Sequence, residues 1–147
     1  MKRLLNKRTL LIVAGIVVVV GLLTATFSYS LRHKSNLNYE DEVKAALSGI
    51  EAVSKELVEI DVNEDGKALL KAYDKIIGIA DDALKLQAPD TWKDFDVSFK
   101  SYMEGTREGY TLIRIGTDTD DVEKIAEGIK ILSGLDDSFV DTMKIEP

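Results

Sequence analysis

The chain has 147 residues, no cysteine and a net charge of −7, and 45% of its residues are apolar. That apolar content suits one folded domain, and the lack of cysteine excludes disulfide frameworks, thiolate metal sites and a cysteine nucleophile. The charge is uneven: residues 1–34 hold six of the 19 basic residues and none of the 26 acidic ones, leaving a net −13 on residues 35–147, which repels nucleic acid and favours basic partners or cations.

The first element is hydrophobic. Between Arg8 and Arg32 lie 23 residues without a charge, Thr9 to Leu31, including the run Val17-Val18-Val19-Val20. As a helix they span about 35 Å, enough for a bilayer's hydrocarbon core. Four basic residues precede the segment and Arg32 and Lys34 follow it, which predicts a cytoplasmic N-terminus and an exported remainder. The alternative is a cleaved signal peptide, with Thr24 to Ser30 as the cleavage region, although no clean A-x-A stands there. Both readings export the rest of the chain. The expected division is a basic cytoplasmic tail at 1–8, a signal-anchor transmembrane helix at 9–31, a linker at 32–38 and an extracytoplasmic helical domain at 39–147.

Beyond the linker the apolar residues recur in steps of three and four. Val43, Ala46, Leu47, Ile50, Val53, Leu57 and Ile60 trace one face of a first helix beginning at Tyr39. Val62 to Gly66 breaks that pattern. A second helix is expected over about Lys67 to Gln87, with Leu69, Leu70, Tyr73, Ile76, Ile77, Ala80 and Leu84 on its face, ended by Ala88-Pro89-Asp90. The third is expected from Asp90 to about Ile115, carrying Trp92, Phe95, Phe99, Tyr102, Met103, Tyr110 and Ile113. Gly116 is its expected C-cap, and Asp118 or Thr119 the N-cap of a fourth helix. That helix carries Val122, Ile125, Ala126, Ile129, Leu132, Leu135, Phe139 and Met143. The fold class is therefore all-α: one transmembrane helix followed by an antiparallel, up-down four-helix bundle.

Six glycines, Gly49, Gly78, Gly105, Gly109, Gly128 and Gly134, fall inside these helices, each about 1 kcal/mol worse than alanine there. Gly105 and Gly109, four apart, form a smooth patch that lets two helices approach closely, or alternatively admits a ligand.

Few residues point to chemistry. Asp61-Val62-Asn63-Glu64-Asp65-Gly66 matches the opening of an EF-hand loop, making Asp61, Asn63 and Asp65 candidate cation ligands. The loop is incomplete: Ala72 stands where the bidentate glutamate belongs, and the same residues suit a helix–helix turn. Asp81-Asp82 and Asp136-Asp137 are sequence neighbours that diverge by about 100° on a helix and form no catalytic dyad. His33 is the sole histidine, too few for a di-iron or haem bundle, so neither an enzyme nor a cofactor is expected. Trp92 and Tyr110, whose polar tips suit partial exposure, are the candidate interaction residues. The sequence thus predicts a membrane-anchored, acidic interaction module for a protein or envelope component, held in the bilayer through Thr9–Leu31. The alternatives are a small-ligand or cation sensor, and an acidic inhibitor of a basic exported partner.

Overall fold

The apolar stripe that starts at Tyr39 winds into helix α1, Leu37–Glu59. Tyr39, Val43, Ile50, Val53 and Leu57 are buried along it, with Ala46 and Leu47 half-buried beside them. The computed structural model describes residues 37–60 and 66–143, with backbone alone at 37 and 136–143. The expected span at Thr9–Leu31 and the candidate ligands Asp61, Asn63 and Asp65 lie outside the described residues. Among the described residues no helix is long and apolar enough to cross a membrane.

Helix α2 is Gly66–Ala83. It stops four residues before the expected Gln87, because the amides of Leu84, Lys85 and Leu86 turn back to Ala80, Asp82 and Ala83 ahead of Pro89. A single 3-10 turn, Asp90–Trp92, then leads into α3, Lys93–Thr119, and α4 is Val122–Met143. Every described element is helical.

The helices alternate in direction. Glu56 of α1 pairs with Lys75 of α2 at 2.7 Å, and Asp74 and Asp81 of α2 pair with Arg114 and Arg107 of α3. These cross-helix pairs are exposed and contribute little individually, but the two α2–α3 pairs run in opposite order, as do Glu56 against Lys75 and Gly49 against Ile79 for α1 and α2, so both neighbours are antiparallel. Helix α4 returns along α3, with Ile125, Leu132 and Leu135 set over Gly116, Gly109 and Gly105. The arrangement is a four-helix bundle in which α1 and α4 make no backbone contact among the described residues.

The closest approach is between α3 and α4, and glycine makes it possible. A Cβ on Gly128 would sit 2.5 Å from the Gly109 carbonyl oxygen, and one on Gly116 would sit 2.6 Å from that of Asp121. Of the two readings of the Gly105–Gly109 patch, close helix approach is the one found, and Gly128 supplies the matching surface.

The turn between these helices departs from expectation. Gly116 is no C-cap: it is buried within α3, which runs one more turn to Thr119. The chain reverses at Asp120, which adopts the left-handed conformation (φ 58°, ψ 28°) that aspartate tolerates better than most side chains. The Asp121 amide donates to the Gly116 carbonyl at 2.8 Å. Asp121, rather than Asp118 or Thr119, caps α4, its carboxylate accepting from the Lys124 amide at 3.1 Å.

Asp121 also pairs with the Lys124 ammonium, which with the capping amide holds its carboxyl below the ordinary value of 3.8. A carboxyl depressed in the folded state contributes stability above pH 3.8 that is lost as pH falls through the folded value. Asp121→Asn keeps a capping oxygen but removes the charge. Thermal melts of parent and variant are therefore expected to differ most near neutral pH and to converge in acid. A gap unchanged across that range would contradict this role.

Candidate interaction surface

Aromatic side chains gather toward one end of the bundle. At the end where α1 begins, the short α2–α3 connection brings Trp92 against Tyr39, with ring centroids 5.9 Å apart. Phe95 meets Trp92 edge-on at 5.4 Å and stacks on Phe99 at 5.9 Å, so the rings form a continuous chain into the core. Such pairs contribute about 0.5–1.5 kcal/mol each beyond their buried area. Phe99 is fully buried, while Trp92 and Phe95 are half-buried. The Tyr39 hydroxyl donates to Asp96 Oδ1 at 2.6 Å, and the Lys100 ammonium donates to Oδ2 at 2.9 Å. Burial, reinforced by the Asp96 carboxylate, raises the Tyr39 phenol well above its ordinary range. It stays neutral and acts as a donor.

Tyr110, expected at partial exposure, is 2% exposed. It points into the middle of the bundle, where its ring lies 5.8 Å from that of Tyr73. Burial drives its phenol far up, with the Ser54 hydroxyl opposing. The Ser54 proton is donated to the Ile50 carbonyl at 2.8 Å, and the Tyr110 hydroxyl finds no well-formed hydrogen bond of its own. Tyr110 is a core residue. Of the two candidate interaction residues only Trp92 reaches the surface, and Tyr110's position facing α1 and α2 has no signature in the spacing of α3.

Both ends are acidic, and the aromatic end carries Glu40, Asp41, Glu42, Asp82, Asp90 and Asp94 against Lys44, Lys85 and Lys93. At the opposite end Glu59 closes α1, Asp118 stands in the last turn of α3, Asp120 and Asp121 form the α3–α4 turn, and Glu123 lies in the first turn of α4, against Lys67 and Lys124. The α1–α2 connection adds Asp61, Glu64 and Asp65 in sequence. Asp81 and Asp82 diverge as expected, the first toward Arg107 and the second toward Lys85. No group of three acidic or histidine side chains among the described residues is placed to hold a metal ion. The core hydroxyls of Ser54 and Thr106 donate to the carbonyls one turn back in their own helices, which leaves their protons committed to the backbone. Comparison with protein-family models, with curated proteins and with solved structures finds no match to the chain.

Proposed function

We propose that the chain is a single-pass membrane protein that holds an acidic, non-enzymatic helical module outside the membrane and offers it to a basic protein or envelope component. The observation that carries this reading is the charge division. A basic, acid-free stretch of 34 residues contains the uncharged Thr9–Leu31 segment, and the net −13 lies beyond it. Among the bundle's carboxylates, those of Asp118, Asp120, Asp121 and Glu123 lie at the end remote from the start of α1, so the anchor would hold them away from anionic headgroups. A charged surface of one sign steers an oppositely charged partner, and the steering weakens as salt screens it over about 10 Å at 0.1 M.

Crosslinking of the full-length chain in its own membrane should therefore recover a basic partner. Its capture should weaken with rising salt and fall when Asp118, Asp120 and Glu123 are replaced by their amides. No partner above background, or capture indifferent to salt and to these substitutions, would contradict the reading.

A further inference from the structure

Resting on that membrane-anchored reading, we infer that the α2–α3 corner, led by Leu86 and Trp92, is a second lipid contact that seats the bundle on the outer leaflet. Five residues, 32–36, separate the uncharged segment from the first residue of α1. Fully extended, the step from Leu31 to Leu37 covers about 20 Å, and a bilayer's polar layer is itself about 5–8 Å deep on each side. The α1 start is therefore tethered within a short reach of the headgroups. The structure places the α2–α3 corner at this same end, since Trp92 packs on Tyr39.

The corner has the composition of an interfacial contact. Leu86, Trp92 and Phe95 are half-buried apolar side chains packed on the core, each with part of its surface uncovered. Two residues past Phe95, on the other side of α3, Val97 is 71% exposed, more than any other large apolar side chain among the described residues. Amphipathic tryptophan is favoured at the headgroup level, and long lysines flanking it can extend toward water. Lys85 and Lys93 stand there with side chains 73% and 69% exposed. Both are paired, with Asp82 and Asp90 at 2.7 Å and 2.6 Å, and Asp94 lies beside them. With Glu40, Asp41 and Glu42 at the start of α1 on the same end, the corner carries a net negative charge and would repel anionic lipid. Its occupant is the zwitterionic headgroup–acyl boundary, held by apolar and aromatic contact.

Trp92 is the only tryptophan in the chain and so reports on its own surroundings. Full-length protein reconstituted into phosphatidylcholine vesicles, with and without a nitroxide-headgroup phosphatidylcholine, should lose most of its tryptophan emission to the nitroxide. The double variant Trp92→Phe, Val58→Trp moves the reporter to an exposed site near the other end of α1 and should keep its emission. Flotation of the protein with the vesicles, resistant to alkaline wash, is scored separately. Failure to float would overturn the anchor and this contact together. Flotation with Trp92 unquenched, or with both reporters equally quenched, would overturn the contact alone.

Discussion

Replacing Gly128 with alanine is expected to destabilise the bundle by about 1–3 kcal/mol, the range for forcing an extra methyl into a closed contact. The new Cβ would lie 2.5 Å from the Gly109 carbonyl oxygen and 2.7 Å from Ile113 Cγ1. A backbone oxygen cannot rotate out of the way, so α3 and α4 must separate and loosen the packing of Ile125 and Leu132 along the seam. Alanine improves helix propensity by about 1 kcal/mol, which offsets only part of the loss. Gly78→Ala is the internal control, because a Cβ there meets nothing within 4 Å. That substitution should stabilise by about 1 kcal/mol, through propensity and a less flexible unfolded chain. Denaturant titrations of the two variants should move the midpoint in opposite directions. Equal shifts would show that α3 and α4 approach one another less closely than the Gly109–Gly128 contact requires.

The second large effect is at Tyr110. Truncation to alanine removes a large ring from the centre of the bundle and should destabilise by about 3–5 kcal/mol, as for other buried aromatics. Tyr110→Phe keeps the ring and removes a buried hydroxyl without a well-formed hydrogen bond. An unmet buried polar group costs about 1–3 kcal/mol, so the phenylalanine variant should match or exceed the parent in stability. A surface anchor would behave in the opposite way, with truncation within about 0.5 kcal/mol of the parent. A strongly destabilised phenylalanine variant would mean that the hydroxyl has a partner, such as a buried water, worth keeping.

These two sites also mark where the sequence is mute. Helix faces are legible because apolar residues at steps of three and four must be buried together. Val43, Ile50, Val53 and Leu57 on α1, and Leu69, Tyr73, Ile76 and Ala80 on α2, are buried as their spacing predicts. Glycine carries no such signal. Gly116 suits a C-cap and a helix seam equally well, and it serves the seam because Asp120 takes the left-handed turn instead. On α4 the close contact at Gly128 sets which face turns inward. Ala126, expected in the stripe, is therefore exposed, while Gly128 is buried. Three acidic residues near one turn are all plausible caps by type, and geometry alone selects Asp121. The polar tip of Tyr110 suits partial exposure, whereas its depth depends on Ser54 and Tyr73 from two other helices. The aromatic chain from Tyr39 to Phe99 is half legible: Trp92, Phe95 and Phe99 fall close together in the sequence, but Tyr39 joins them only through its long-range contacts with Trp92 and Asp96.

The charge division around Thr9–Leu31 is the basis of the proposed function, and the absence of cysteine allows it to be tested cleanly. Two single-cysteine variants suffice: Ser133→Cys on the exposed side of α4 and Asn6→Cys before the uncharged segment. Intact cells treated with a membrane-impermeant maleimide should label position 133 and leave position 6 unlabelled until the membrane is opened. Protection of position 133 in intact cells, with labelling only after lysis, would contradict an external bundle.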